Sequence, residues 1–438
     1  MNNNWKFLAF ISLMLSAQLH VAAQQSRNLS LEEAISLSLQ NSKNLRMADA
    51  KIIEAVSLVQ EARDRQLPDF KLTGSYLRLN SANVDLKTAN DSSSKGGGPK
   101  ISQAVYGMAN LSLPLYAGGR IKYGIESAKY LEQATRLDAD NDKEAVIYNA
   151  SSAFINLYKA SQAVGIVKEN LRSSLSRDSN FINLEKNGIL ARNDLLKAQL
   201  QSANIELSLL DAENNFNLAM VNMNLMLGLP ENTLLSPDTS FTRQEINLQN
   251  FSDYETLALQ KRKDIQATAF RKNAATTAIK SARAEAYPTI ALTGGYVAAY
   301  IPKLLTITNA INIGVGVQYN LASLWKTNTK LQQAKARLLQ VSAGEEMLND
   351  AVRLEVNKDY QQFLLTQKKI EVYDKAVAQA TENYRITNNK YNNSLVTITD
   401  LLEADVALLQ ARLNSSFAKA DAVLAYNKLL QSTGTLSK

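Results

Sequence analysis

The sequence predicts a mainly α protein with a β part: two long coiled-coil-like helical hairpins and two β-hairpins, laid out as an internal duplication. Three observations predict it. The chain of 438 residues matches itself at a nearly constant shift. All seven prolines lie at 68, 99, 114, 230, 237, 288 and 302, so the segments 115–229 and 303–438 contain none, as long helices require. Two stretches alternate apolar with small or polar residues at period two, the mark of strands with unlike faces.

The first segment reads as a signal peptide over residues 1–23. Asn2–Lys6 is short and polar with one positive charge, Phe7–Ala17 is apolar, and Val21-Ala22-Ala23 offers small residues for cleavage before Gln24. The apolar run is too short for the about 20 residues of a membrane anchor. The chain has no cysteine, which excludes disulfides, thiolate chemistry and an N-terminal lipidated cysteine. Its one histidine, His20, falls inside the signal peptide. No cluster of carboxylates and lysines suggests catalysis, so the sequence points to no enzyme, no cofactor and no metal centre. Net charge is +7, or about +6 without Lys6. The basic residues are dispersed among acids with no aromatic-interleaved block, which argues against nucleic acid as a partner. No mature stretch holds 18 consecutive apolar residues, so no spanning helix is expected.

A shift of 220 residues places Leu37 on Leu257, Lys43 on Lys263, Pro68 on Pro288, Thr73-Gly74 on Thr293-Gly294 and Tyr76 on Tyr296. Beyond the next loop the shift is 206: Ala128-Lys129 falls on Ala334-Lys335, Asp194-Leu195-Leu196 on Asp400-Leu401-Leu402, and Gly228 on Gly434. One 14-residue deletion between paired strands reconciles the two (220 − 206 = 14). The reading is a first repeat over 24–230, a linker over 231–250 and a second repeat over 251–438.

Each repeat reads helix, β-hairpin, long helix, turn, helix. The first β-hairpin spans about 69–116, with Val105, Gly107, Ala109, Leu111, Leu113 and Leu115 on one face and Tyr106, Met108, Asn110 and Ser112 on the other. The second spans about 289–320, where Ile311, Ile313, Val315, Val317 and Tyr319 alternate with Asn312, Gly314, Gly316 and Gln318. Such strands fit a transmembrane barrel, and equally an ordinary half-buried sheet. The long helical hairpins span about 120–228 and 323–433. Apolar residues recur at three and four along Val146–Leu175, Leu331–Phe363 and Leu402–Leu424 (Leu402, Val406, Leu409, Leu413, Phe417, Ala420). A helix from Arg120 to Lys186 is roughly 100 Å long at about 1.5 Å per residue, too long for a compact domain. Reversals are expected near 187–190 and 392–396, where Gly and Asn tolerate the left-handed conformation. Residues 81–100, rich in Gly and Ser, read as a flexible loop.

Four strands cannot close in lipid, where open edges are not tolerated. Several copies must therefore build the barrel. Two copies give eight strands and a filled interior, three give twelve and room for a pore, and the residues do not choose between them.

Leu113-Pro-Leu-Tyr-Ala-Gly-Gly-Arg120 resembles the strand-to-helix signature of the TolC family of outer-membrane efflux proteins, as do the Asp-Leu-Leu-x-Ala steps Asp194–Ala198 and Asp400–Ala404 and the stop Leu227-Gly-Leu-Pro230. The resemblance covers nearly the whole mature chain. It implies a homotrimer, with a twelve-stranded barrel in outer-membrane lipid continuous with an α-barrel tunnel. It also implies two partners, a periplasmic adaptor protein and an inner-membrane transporter. The second repeat departs from the signature at Asn320–Lys326, which lacks the Pro and Gly-Gly.

The same resemblance implies that Asp400 and Glu403, three apart on one helix face, form stacked acidic rings at a periplasmic entrance, a charge arrangement that favours cations. Asp194 is the first repeat's counterpart of Asp400, but Lys197 stands where the second repeat has Glu403. It further implies adaptor docking at the tips Asn187, Gly188, Ile189 and Leu190, and Asn393, Ser394, Leu395 and Val396. The alternative function is a periplasmic coiled-coil adaptor or spacer without a pore. Adaptors carry one helical hairpin joined to compact β-domains, whereas this chain has two hairpins of each kind.

Overall fold

A computed structural model describes residues 27–83, 100–243, 248–324 and 328–437. The signal peptide and most of the 81–100 loop lie outside the described residues. The elements in order are β1 (Arg27–Leu29), α1 (Leu31–Asn41), α2 (Lys43–Asp64), β2 (Asp69–Asn83), β3 (Lys100–Tyr116), α3 (Arg120–Lys186), α4 (Arg192–Leu227), β4 (Leu235–Pro237), α5 (Phe251–Lys261), α6 (Lys263–Ala284), β5 (Thr289–Ile301), β6 (Leu305–Gln318), α7 (Thr329–Asn392) and α8 (Ile398–Ser432). Short 3-10 turns occupy Ser240–Arg243 and Leu321–Leu324. No described helix is long and apolar enough to cross a membrane.

The chain forms two compact units. The first comprises Met1–Ala48, Ala139–Lys263 and Asn349–Lys438. Its core is built where α3 and α4 run beside β1: Phe154, Leu157, Met223 and Leu227 are closed over by Leu29, Leu235 and Phe241. The Phe241 ring meets Phe154 and Tyr158 edge-on, with centroids 5.4 and 5.0 Å away. The segment read as a linker therefore includes a strand, β4, paired in parallel with β1, and a core aromatic.

The helices preceding each β-hairpin are broken. Ser42 ends α1 and caps α2, its Oγ accepting from the Leu45 N–H at 3.2 Å. Arg262 separates α5 from α6, its N–H donating to the Ala258 carbonyl. In α8 the face buried within the chain is Leu401, Ala404, Leu408, Ala411, Ala418, Ala422, Ala425 and Leu429. This is rotated from the stripe Leu402–Leu424 read in the sequence, of which only Ala420 is buried and Val406 is exposed. Alanine admits a neighbouring helix closely, so the smaller residues turn inward.

The second unit comprises Asp49–Asp138 and Asp264–Leu348. Its sheet is antiparallel throughout in the order β2-β3-β5-β6. Register sets whole rows on one face: Leu72, Ala109, Tyr296 and Ile311 lie side by side, as do Phe70, Leu111, Gly294 and Ile313. The opposite face carries Thr73, Ser75, Asn110, Ser112, Thr293, Gly295 and Asn312. The turn from β3 into α3 needs its glycines. Gly118 has φ +61°, and a Cβ there would come within 2.7 Å of the Ala284 carbonyl oxygen. A salt bridge joins Lys272 to Glu345 at 2.6 Å, and Arg271 pairs with Asp138.

Candidate functional site

Two features have the geometry of function: the helical reversals of the first unit and the sheet of the second. The reversals are near copies of one another. Gly188 has φ +73° and Ser394 +59°. Gly188 and Ile189 donate to the carbonyls of Glu185 and Leu184, both at 2.9 Å, while Ser394 and Leu395 donate to those of Tyr391 and Lys390, also at 2.9 Å. These are the paired bonds of a Schellman stop. The Asn187 and Asn393 side-chain amides each reach back one turn, to the carbonyls of Asn183 (2.7 Å) and Asn389 (2.8 Å). Ile189 and Leu395 stand out at 72% and 71% exposure, whereas Leu190 and Val396 are half-buried.

Beneath the reversals Phe181, Leu195, Ala198, Ile398 and Leu401 form a small core that joins the two hairpins. Leu190 packs against it, and the Phe181 and Tyr391 rings lie 5.6 Å apart. Burial pushes the Tyr391 hydroxyl pKa up, and the charge of Asp194 adds to the shift.

The three acids read as an entrance have unlike surroundings. Asp400 is the third residue of α8 and closes a capping box with Thr397. Its Oδ2 accepts from the Thr397 hydroxyl (2.7 Å) and N–H (2.8 Å), while Thr397 Oγ1 accepts from the Asp400 N–H. The hydroxyl first and the N–H second hold its carboxyl below the usual range. Glu403 is exposed with no ion-pair partner among the described residues. Asp194 pairs with Lys197 at 3.2 Å. Asp194 and Asp400 thus open two helices whose first turns share one small core.

Sequence reasoning did not single out the buried pair deeper along the helices. Arg177 Nη2 donates to Asp405 Oδ2 at 2.9 Å, and their side chains are 10% and 6% exposed. Asn170 donates to Asp405 Oδ1 at 3.1 Å, and Ser174 joins Arg177 to Ser202 of α4. A polar network therefore ties α3 and α4 to α8. Residues 228 apart gave no sequence signal of it.

The sheet is apolar where an ordinary sheet would be covered. Leu72, Ile311 and Ile313 are 78%, 80% and 81% exposed. Exposed tyrosines mark both ends: Tyr116, Tyr287 and Tyr319 near the helices, and Tyr76 and Tyr300 towards the hairpin ends. An apolar outer face between aromatic belts, joined to helices of 67 and 64 residues, defines a membrane β-barrel protomer with a helical extension.

The chain belongs to the outer membrane efflux protein family, whose profile matches residues 34–229 and 256–435. The two matched segments fall one in each repeat. The outer membrane efflux protein BepC of Brucella suis biovar 1 (strain 1330) is 23% identical over 361 residues, covering 78% of this chain and 75% of its own. Nodulation protein T of Rhizobium leguminosarum bv. viciae is 24% identical, covering 75% and 71%. Among solved structures, VceC of Vibrio cholerae superposes with a TM-score of 0.74 at 20% identity, over 92% of this chain and 96% of its own. The open state of the MtrE outer membrane channel of Neisseria gonorrhoeae does so with 0.72 at 17%, over 93% and 89%. The protein shares the fold of these channels.

Proposed function

We propose that three copies of this chain form a channel that carries substrates from periplasm to exterior as the outer-membrane part of a tripartite efflux or secretion system. The observation that carries this reading is the sheet: four strands with an apolar, tyrosine-bordered face and two edges, β2 and β6, unpaired among the described residues. Lipid does not tolerate such edges. Three copies supply twelve strands (3 × 4) and room for a pore. The helices support the same assembly. Leu196, Leu200, Leu207, Leu210 and Leu218 form an exposed stripe along α4, and Leu339, Met347, Leu354 and Val372 another along α7. Both are seams for neighbouring copies.

In this reading the repeats over 24–230 and 251–438 each supply one β-hairpin and one helical hairpin per protomer. The reversals form the periplasmic end, with Asp400 and Glu403 around the entrance and Asp194 held back by Lys197. The tips, led by exposed Ile189 and Leu395, receive a periplasmic adaptor that links the channel to an inner-membrane transporter. With no cysteine, anchoring rests on the barrel and not on a lipid.

The test is conductance of the purified protein in planar bilayers, with Asp400→Asn/Glu403→Gln in parallel. Discrete steps with cation preference, reduced in the variant, are expected. Steps unchanged in the variant would remove the acidic entrance and keep the channel. A folded protein recovered from the soluble periplasmic fraction would end the channel reading.

A further inference from the structure

We infer that the pair Asp69–Lys71 sets the charge selectivity of the barrel section and holds it near zero, so that anionic and cationic cargo leave alike. The inference rests on the channel reading above, in which the face of the sheet opposite the lipid lines the lumen.

Register places that face row by row. One row across the four strands reads Lys71, Asn110, Gly295 and Asn312, and Asp69 stands in the row beside it, next to Ser112. From the pair Thr289–Gln318 near the helices to the pair Ser75–Tyr106 towards the hairpin ends, every other residue of this face is uncharged. The lumen of each protomer thus carries one anion and one cation over this stretch. They lie two apart on β2 and so point the same way. Lys71 Nζ meets Asp69 Oδ2 at 2.8 Å, and both side chains stay open to water, at 71% and 57% exposure. Neither has another ion-pair partner among the described residues. The duplication supplies an internal comparison. At the shift of 220, Asp69 and Lys71 fall on Thr289 and Ala291. One repeat places two opposite charges on this face and the other places none, and both leave it without net charge.

Distance decides what an ion in the lumen feels. Twelve strands about 4.8 Å apart and tilted by about 40° close at a radius of about 12 Å. Seen from the axis, two opposite charges 2.8 Å apart leave at most about a quarter of the potential of either alone. Removing one partner changes this. Three unpaired like charges at that radius would enrich the opposite ion about three-fold near 10 mM salt, where the Debye length is about 30 Å. Near 1 M, where it is about 3 Å, they would have no effect at the axis. Charge preference in the native channel therefore arises outside the barrel, and the barrel stays neutral because Asp69 and Lys71 cancel.

The experiment reads reversal potentials of the purified full-length protein in planar bilayers, under KCl gradients centred near 10 mM and near 1 M. Every protein compared carries Asp400→Asn/Glu403→Gln, so that those acids do not mask the barrel. Asp69→Asn is expected to shift permeability towards anions and Lys71→Gln towards cations. Each shift should be at least about three-fold at the low salt and absent at the high salt. Exchanging the two, Asp69→Lys/Lys71→Asp, rebuilds the pair and should restore the parent ratio, a rescue that a purely structural role would not show. Should the exchanged protein not fold, Lys71→Arg, which keeps the charge, should hold the parent ratio and carries the test. Both single variants at the parent ratio, or both moving in one direction, would overturn this assignment and leave the channel standing. Absence of conductance steps from the parent and every variant would instead overturn the channel reading itself.

Discussion

Removing the Asp405 carboxylate should loosen the end of the protein that carries the helical reversals more than any surface change nearby. The pair it forms with Arg177 is nearly dry on both sides. Arg177 already has Nε and Nη1 without partners, so losing Asp405 leaves a buried guanidinium held only by the Ser174 hydroxyl. Breaking one side of a buried ion pair costs about 3–5 kcal/mol, whereas replacing both sides with apolar residues of similar volume is about neutral. The prediction is therefore a pattern across Asp405→Leu, Arg177→Met and the double variant. Hydrogen exchange of amides in 170–182 and 398–408 is the assay, because it reads local opening without requiring reversible unfolding of a membrane protein. Asp405→Leu should speed exchange there by about 10²–10³-fold, and the double variant should return close to the native rate. The coupling in this cycle measures the pair itself. Native-like exchange in Asp405→Leu, or a double variant as fast as that single change, would refute the reasoning.

Three further outcomes are expected. Asp400→Ala removes half of the capping box and should loosen the start of α8, seen as faster exchange confined to its first turns; Asp400→Asn keeps an acceptor and should cost less. Ser394→Gly should stabilise its reversal and Gly188→Ala destabilise the other, each by about 1 kcal/mol, because both positions have left-handed φ; thermal melts of the pair should move in opposite directions. Burial raises the Asp359 carboxyl above its ordinary 3.8, with Glu355 adding to the shift and Lys428 opposing it. The neutral form is then the one the folded state favours. The associated stability is present below the unfolded pKa and is lost as pH rises through the folded one. Asp359→Asn should gain most in melting temperature near pH 7, with the gain shrinking towards pH 4.

Much of the fold was legible because long helices and barrel strands are written in local pattern. Absence of proline marked the helices, period two marked the strands, and the repeat tied both into one plan. What escaped was set by contacts across the chain. Ser42 and Arg262 break helices without Pro or Gly, where tertiary bonds such as Asn41 Nδ2 to the Leu227 carbonyl (2.8 Å) replace helical continuity. Phe241, one aromatic in a polar stretch, was the available sign that the inter-repeat segment enters a core. Thr397-Ile-Thr-Asp400 has Thr and Asp at capping-box spacing, so the capping role of Asp400 is legible in the sequence. The rotated stripe of α8 was not, since leucine and alanine positions compete and only the neighbouring helix decides which turns inward.

Divergence between the repeats carries meaning of its own. In the proposed trimer a duplicated chain presents six similar helical hairpins. Positions that stayed alike act six times, and positions that diverged act three times. The reversals stayed alike, down to the back-bonding asparagines and the exposed Ile189 and Leu395, so that trimer would present six near-equivalent tips. Glu403 and Lys197 diverged, so that trimer would alternate three acids with three lysines at this level, and an entrance built there would prefer cations less than six acids would. Thr397 caps α8 with its side chain, while Ala191 at the start of α4 cannot. The second repeat's reversal therefore holds its helix start more firmly. Fraying of the helix start is cheaper in the first hairpin, where Arg177 restrains the neighbouring turn of α3 through its bond to Asp405.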